Sequence, residues 1–325
     1  MNDEVLGVDA LRALRGAGDD AHHPLAETPY LLCDARGLDG DIALTEWLRT
    51  RPCPVIAVSP EASAHACDVV AGSERELRAI TASIRRAPLA ATVLVQVLRT
   101  IEHLPLDAAL VVESLAYATL QGGREFRDWL ASYRAPPPAD CDSGPAVVIE
   151  RENECLTLTL NRPSNRNAMS VEMRDALCEA LQLAVCDDGI ARLRIRARGK
   201  CFSTGGDLAE FGSTPDSATA HAVRSLALPG RLLARCAERA TVEVHGACVG
   251  SGIEFPAFAG RIEARADAWF QLPELKYGLI PGAGGCVSIS RRIGRERTAW
   301  LVLSGQRIGA QTALEWGLVD AVVGA

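Results

Sequence analysis

One stretch decides the fold of the second half of this chain: His245-Gly246-Ala247-Cys248-Val249-Gly250-Ser251-Gly252-Ile253-Glu254. The apolar run Thr241 to His245 predicts a strand that leads directly into small residues, where a helix begins. Backbone N–H groups in the first turn of a helix have no internal partner, so such a turn can bind a negatively charged oxygen. Alternatively, the glycines only let the helix and the sheet pack closely.

A second segment of small residues lies upstream, at Phe202-Ser203-Thr204-Gly205-Gly206-Asp207-Leu208. It can supply another backbone N–H donor. Two such donors converging on one carbonyl oxygen would stabilise the negative charge that develops there in a transition state, and preorganised donors of this kind contribute about 3–4 kcal/mol each. The pair of loops therefore favours a catalytic interpretation over one of packing alone.

Two glutamates follow the second turn in apolar surroundings. Glu254 lies between Ile253 and Phe255, and Glu274 follows Leu272-Pro273. Burial disfavours the charged form of a carboxyl group and raises its pKa, which makes the group usable as a general acid or base near neutral pH. The alternative is a structural glutamate paired with Lys276 or with an arginine.

Composition limits the class of protein. The chain has 325 residues, a net charge of −7 and 48% hydrophobic residues, which is enough for a packed core and argues against nucleic acid or an acidic membrane as partner. Its eleven cysteines form no CxxC pair and no metal-ligand spacing, so we expect reduced thiols and a cytoplasmic location. No export signal or membrane-spanning stretch is predicted.

The pattern divides the chain into four parts. We predict a flexible tail at 1–25 with one short helix at 8–16, and an N-terminal region at 26–135. That region begins with short apolar strands and continues with helices at 88–134, although residues 108–115 could also form a buried strand. A proline-rich linker follows at 136–145. Residues 146–325 alternate strands and helices, which predicts the α/β class with a largely parallel sheet.

Together these motifs resemble the crotonase superfamily, the enoyl-CoA hydratase/isomerase family. The resemblance covers residues 146–325 and includes Asn161-Arg162-Pro163 with Asn167-Ala168, where the family's chain passes the CoA moiety. It implies a ClpP/crotonase-like fold of repeated ββα units, here preceded by an α-rich N-terminal region. It also implies a homo-oligomer, a trimer or a dimer of trimers, with an acyl-CoA thioester as partner and no cofactor or metal beyond the CoA of the substrate.

The resemblance further implies syn addition of water to a 2-enoyl-CoA, because both acidic positions are glutamate. Glu254 would deprotonate the water, and Glu274 would protonate Cα. The N–H groups of Ser203 and Ser251 would form the oxyanion hole. The other residues expected to contact the substrate are Arg166, at a CoA phosphate, and Gly205, Gly206, Asp207, Gly250 and Gly282. Arg166 could equally be an ordinary surface arginine. Isomerase, hydrolase and decarboxylase activities, or a non-catalytic partner subunit, are the alternatives.

One departure from the family concerns its C-terminal helices, which usually cover the acyl site and which residues 146–325 lack. The segment from Arg86 to Phe126 is similar to that tail, and Pro52 to Ala71 is similar to a worn-down strand–helix–strand portion of the same core. We expect the N-terminal region to be a degenerate crotonase-like unit. Its helices at 88–134 would cover the site of the same chain or of a neighbour. The alternative is an unrelated packing module.

Overall fold

A computed structural model describes residues 4–17, 21–38, 40–58, 66–135, 137 and 142–324. The α-helices of these residues are α1 (Val8–Ala17), α2 (Ile42–Arg49), α3 (Glu74–Arg86), α4 (Pro88–Ile101), α5 (Leu106–Gln121), α6 (Arg124–Ser132), α7 (Val171–Cys186), α8 (Ser217–Leu226), α9 (Pro229–Arg235), α10 (Ser251–Glu254), α11 (Gly285–Ile293), α12 (Arg295–Ser304) and α13 (Ala310–Trp316). The strands are β1 (Leu31–Cys33), β2 (Val55–Ala57), β3 (Val69–Val70), β4 (Val147–Glu152), β5 (Cys155–Leu160), β6 (Arg192–Ala197), β7 (Ala240–Val244), β8 (Ala247–Val249), β9 (Arg261–Arg265), β10 (Trp269–Gln271), β11 (Ile308–Gly309) and β12 (Ala321–Val323).

The N-terminal region contains a small parallel sheet in the order β1-β2-β3, with its own apolar core under α1 and α2. The predicted helix at 8–16 corresponds to α1. The predicted helical stretch at 88–134 is also confirmed, and residues 108–115, where helix and strand were both open, lie within α5. Residues 59–65, between β2 and β3, are outside the described part, so the helix of the expected strand–helix–strand unit cannot be compared.

The C-terminal region is built on a six-stranded sheet in the order β12-β9-β7-β6-β5-β4. Every neighbouring pair is parallel except the β4–β5 hairpin. A second sheet, β11-β10-β8, packs beside it, and its β8 and β10 are parallel. The predicted α/β class with a largely parallel sheet is therefore confirmed.

The register of β8 and β10 positions the functional part of the fold. Val249 pairs with Gln271, so both strands end at the same level of the sheet, and the Gly250 N–H donates to the Gln271 carbonyl at 3.0 Å. The glycine turn follows β8, and Leu272-Pro273-Glu274 follows β10. Because the carboxyl ends of parallel neighbours meet at one edge, the two glutamate-bearing segments are adjacent.

A single apolar core joins the N-terminal helices to the C-terminal sheet. Leu94 and Leu110 of α4 and α5 belong to the same buried cluster as Leu158 and Val242 of the sheet. Half of the predicted linker at 136–145 lies outside the described residues, and the domain boundary there stays a prediction. Within the described residues, no helix combines the length and the apolar character needed to cross a membrane.

Candidate functional site

Glu254 and Glu274 lie on either side of Gly250. This glycine has a positive φ of 49°. A Cβ at this position would lie 2.8 Å from Oε1 of Glu274 and 3.7 Å from Oε1 of Glu254. Both carboxyl groups therefore approach the same backbone turn, and a side chain at position 250 would fill the space between them. The sheet thus brings together the two acids that the sequence singled out.

Both glutamates open into a cavity of about 270 Å³. It is lined by the loop after β6, by the ends of β8 and β10, by α8, and by α5 of the N-terminal region. Six residues that the sequence predicted as contacts line it: Gly205, Gly206, Asp207, Gly250, Ser251 and Gly282. Ser203 and Arg166 do not line it.

The structure contradicts Ser203 as a donor of the oxyanion hole. Its N–H donates to the carbonyl of Ala247 at 3.2 Å, and the residue is fully buried. Its hydroxyl donates to the Asn167 carbonyl, so Ser203 holds the loop against the core. An N–H that already serves a backbone carbonyl is not available to a substrate oxygen.

From Thr204 to Asp207, one N–H has no acceptor among the described residues. Thr204 donates to Arg166, Gly205 to the Ser203 hydroxyl, and Asp207 to Met169. The N–H of Gly206 has no acceptor among the described residues, and Gly206 lines the cavity. Gly206, already expected as a substrate contact, is thus the backbone donor that this loop can offer.

The second donor is at the start of α10, where Ser251 is the first residue. Its N–H has no acceptor inside a helix, as holds for any first turn. Gly205 lies directly against this turn, since a Cβ on it would come within 2.7 Å of the Val249 carbonyl oxygen. The two loops are therefore in contact, and the N–H groups of Gly206 and Ser251 belong to one cavity.

Glu254 is held by backbone donors rather than by a cation. Its Oε2 accepts the N–H of Ala283 at 2.7 Å and that of Gly285 at 3.0 Å. Burial raises the pKa of this carboxyl to about 7, against the lowering effect of these hydrogen bonds. Lys276, the alternative partner considered above, is exposed, and no ion pair to Glu254 occurs among the described residues.

Glu274 begins a short 3-10 turn, Glu274–Tyr277. Its side chain is buried, and Oε2 has no hydrogen-bond partner among the described residues. Burial, and then the charge of Glu254, raises its pKa well above the ordinary value. A buried oxygen without a hydrogen bond destabilises the fold unless a ligand or a water molecule donates to it. Oε2 of Glu274 can therefore accept a hydrogen bond from a molecule in the cavity.

A third buried carboxyl group, Glu113 of α5, was missed by the sequence analysis. Its Oε1 accepts the N–H of Gly284 at 2.7 Å, and its Oε2 accepts that of Val287 at 3.2 Å. Burial, followed by the charge of Glu254, raises its pKa to about 8. A glutamate after the apolar run Leu110-Val111-Val112 was the only signal in the sequence, and it did not indicate a partner.

The N-terminal helices cover the cavity within the same chain. The Tyr117 ring of α5 lies so close to Gly282 that a Cβ there would be 2.2 Å from a ring carbon. The rings of Phe126 and Trp129 on α6 pack with Phe211 and Tyr277, which flank the cavity. The cover is thus built from residues that precede the sheet in the sequence.

Arg166 lies outside the cavity and its side chain is exposed, while its carbonyl accepts the N–H of Thr204. The structure places it at the surface beside the first loop, and its contact with a CoA phosphate stays a prediction. Among the described residues there is no cluster of three or more His, Cys, Asp or Glu side chains that could hold a metal ion.

A sheet edge with two backbone donors and two buried carboxyl groups defines a class of acyl-thioester enzymes. Residues 150–325 match the family described as enoyl-CoA hydratase/isomerase. The chain therefore belongs to that family, as its motifs indicated.

Individual relatives differ in their reactions. The chain is 34% identical to the 2,3-dehydroadipyl-CoA hydratase of Escherichia coli, over 54% of this chain and 68% of the relative. It is 32% identical to the trans-2-decenoyl-[acyl-carrier-protein] isomerase of Streptococcus mutans, again over 54% of this chain and 68% of the relative. Among solved structures, the enoyl-CoA hydratase of Bacillus anthracis superposes with a TM-score of 0.51 at 26% identity, covering 55% of this chain and 70% of that one.

Proposed function

We propose that this protein is a hydratase that adds water across the double bond of a 2-enoyl-CoA thioester. The observation that carries the proposal is the meeting of two buried glutamates, Glu254 and Glu274, with the free N–H groups of Gly206 and Ser251 in one cavity. Retention of both carboxyl groups favours hydration, because water must be deprotonated on one atom while a carbon is protonated on another.

In this mechanism the thioester oxygen accepts the N–H groups of Gly206 and Ser251. These donors polarise the conjugated system and stabilise the enolate-like charge that develops on the oxygen. Fixed backbone donors do not need to reorganise during the reaction. Their strength depends on the turn geometry rather than on the side chain, so the serine at position 251 can replace a glycine without loss of the donor.

The two carboxyl groups divide the proton transfers. Glu254 takes a proton from water while the water oxygen bonds to Cβ, and the C=C electron pair moves toward the thioester carbonyl. Glu274 then gives its proton to Cα, which restores the thioester and leaves Glu254 protonated and Glu274 ionised. A proton returned from Glu254 to Glu274 through solvent closes the cycle. The pKa of Glu254 near 7 suits a base, and a Glu274 carboxyl whose pKa burial raises well above its ordinary value suits an acid.

The names of relatives agree with this chemistry but do not select one reaction, since both a hydratase and an isomerase are similar to this chain. The direct test is to incubate the protein with crotonyl-CoA and follow the absorbance of the conjugated thioester. We expect it to fall as 3-hydroxybutyryl-CoA forms. Conversion of a 3-enoyl-CoA to its 2-enoyl isomer without any hydration would overturn the proposal in favour of an isomerase.

A binding measurement distinguishes an enzyme from a non-catalytic partner subunit. We expect calorimetry to show binding of a saturated acyl-CoA to the wild-type protein; no binding would favour the subunit. Assembly into a homo-oligomer and a cytoplasmic location remain predictions of the family resemblance and the cysteine content. Light scattering of the purified protein measures the first directly.

A further inference from the structure

Arg224 of α8 brings a positive charge to the cavity that none of the steps above uses. The side chain lines the cavity and is partly buried. Its neighbours are residues of α5 rather than acids: Nε donates to Oγ of Ser114 at 3.2 Å, one terminal nitrogen donates to Oε1 of Gln121 at 3.0 Å, and the other to the Ser114 carbonyl at 3.3 Å.

These contacts fix the plane of the guanidinium and leave donors unused. Of its five N–H groups, three are engaged by these neutral acceptors. One N–H on each terminal nitrogen remains, which is the arrangement that binds the two oxygens of a carboxylate. The Tyr117 ring covers one face of the guanidinium, with the carbon of the guanidinium 4.5 Å from the ring centroid. The group is therefore held in place before any ligand arrives.

In the part of the chain that the structure describes, no acidic side chain forms an ion pair with Arg224. Glu113 acts on it only through its charge, because the Glu113 carboxylate accepts the N–H groups of Gly284 and Val287. Burial lowers the pKa of Arg224 from its ordinary value, because removing a cation from water is unfavourable without a counter-charge.

The place of Arg224 relates it to the acyl end of a substrate. The Tyr117 ring contacts both this guanidinium and Gly282, and Gly282 precedes the Ala283 N–H that holds Glu254. Arg224 thus lines the same cavity as Glu254 and Glu274 and is bonded to the covering helix α5. A CoA moiety carries its phosphates at the opposite end of the thioester from the acyl terminus, so an anion reaching Arg224 past the thioester comes from the acyl chain.

We propose that the acyl chain accepted by this site ends in a carboxylate, and that Arg224 binds that carboxylate. The inference rests on the proposed function for the thioester end of the substrate. It adds the class of acyl group, an ω-carboxylated 2-enoyl chain long enough to reach from Ser251 to Arg224. Arg224 is then the specificity-determining residue of the cavity.

The test compares two six-carbon 2-enoyl-CoA thioesters that differ only at C6, one with a carboxylate and one with a methyl group. The wild type should have the higher kcat/KM on the carboxylated chain. Arg224→Gln should lower kcat/KM on that chain roughly 10- to 100-fold, the usual worth of hydrogen bonds to a charged group, and change it less than about 3-fold on the neutral chain. Arg174→Gln is the matched control, because Arg174 lines the same cavity but is ion-paired with Asp175.

Other outcomes overturn the inference. An equal loss of kcat/KM on both chains would show that Arg224 only stabilises the packing of α8 on α5. A wild-type preference for the neutral chain would contradict a carboxylate-binding role for Arg224. Calorimetry with CoA alone tests whether the anion is instead a CoA phosphate. Weaker binding of CoA by Arg224→Gln than by the wild type would assign the arginine to such a phosphate.

Failure of the proposed hydration would be visible separately. Calorimetry with the saturated six-carbon thioesters, with and without the ω-carboxylate, needs no turnover. A preference for the carboxylated thioester that Arg224→Gln abolishes, in a protein that hydrates neither enoyl chain, would support the specificity assignment and overturn hydration. Hydration without any preference for the carboxylated thioester would support the proposed function and overturn the assignment of Arg224.

Discussion

The carboxylate of Glu113 accepts the backbone N–H of Gly284 at 2.7 Å, which ties helix α5 to the turn that begins α11. The same turn donates the N–H groups of Ala283 and Gly285 to Glu254. One short segment therefore holds a carboxyl group of the proposed chemistry and a carboxyl group of the covering helix. The covering helix α5 and Glu254 are therefore both hydrogen-bonded to residues 283–285.

Replacement of Glu113 tests how stability depends on this buried acid. Because its folded-state pKa, about 8, exceeds the ordinary value of 4.5, the folded state binds the proton more tightly. Its contribution to stability is fully present below pH 4.5 and is lost as pH rises toward 8. Each pKa unit corresponds to about 1.4 kcal/mol, so the free energy of unfolding of the wild type should fall by a few kcal/mol between about pH 5 and pH 8.

Glu113→Gln should show a smaller fall over this range, measured by urea unfolding at several pH values between these limits. A smaller fall remains because Glu254 and Glu274 are still present in the variant. Their pKa values are also raised, so they also make the free energy of unfolding depend on pH. Glu179→Gln, on the exposed face of α7, is the control and should follow the wild type. Parallel curves for wild type and Glu113→Gln would contradict the prediction.

Removing either proton-transfer group should slow hydration without preventing binding. Glu254→Gln and Glu274→Gln should each lower kcat on crotonyl-CoA by about 100-fold or more, the usual contribution of general acid–base catalysis. In the Glu254→Gln variant the new carboxamide oxygen can still accept the N–H groups of Ala283 and Gly285, so the turn should persist. Calorimetric affinity for a saturated acyl-CoA is the control; unchanged turnover in both variants would eliminate the assigned roles.

The pH dependence of kcat/KM should be bell-shaped. Activity requires Glu254 to be ionised, so the rate should rise through about pH 7, the pKa of that group. It also requires Glu274 to be protonated, so the rate should fall again at more alkaline pH, because the pKa of Glu274 is raised well above its ordinary value. Profiles from mildly acidic to alkaline pH at constant ionic strength measure both limbs. An acidic limb near the ordinary glutamate pKa of 4.5 would show that Glu254 is not the base.

A buried ionic cluster joins the small N-terminal sheet to the rest of the molecule. Asp68 accepts the Nε–H of Arg99 at 2.8 Å and an N–H of Arg295 at 3.1 Å, and all three side chains are almost fully buried. Asp68→Asn removes the only carboxylate that pairs with Arg99 among the described residues, whereas Arg295 keeps its ion pair with Glu296. Removing one partner of a buried ion pair costs about 3–5 kcal/mol, and we expect a loss of this size in urea unfolding.

The control is an ion pair at the surface. Asp187 pairs with Arg151, and both side chains are exposed to solvent. Asp187→Asn should leave the unfolding midpoint almost unchanged, since water and salt screen such pairs. An Asp68→Asn protein as stable as this control would show that the cluster adds nothing to the attachment of the N-terminal region.

Much of the fold could be predicted from local patterns. The apolar runs that form β7 and the strands of the small N-terminal sheet are short and bounded by turn residues. Ser73 directly precedes α3 and caps it by accepting the Glu76 N–H, as serine commonly does at a helix start. These features depend on residues close in sequence. The meeting of Glu254 with Glu274 was expected from the family resemblance, and the structure explains it by two parallel strands that end together.

The parts that could not be predicted depend on contacts between distant segments. Nothing local shows that Ser203 gives its N–H to Ala247, which leaves Gly206 as the donor. The partners of Glu113 lie 171 and 174 residues further along the chain. Arg224 likewise gains its role from Ser114 and Gln121 of another region.

The covering helices α4 to α6 precede the sheet in the chain, and this order has a consequence for biosynthesis. The ribosome completes residues 88–132 well before β4 to β10 exist. Until then the apolar faces that later rest on the catalytic core, with Phe126 and Trp129 among them, can pack only within the N-terminal region. We therefore expect the nascent N-terminal segment to expose apolar surface until translation of the remaining residues is complete.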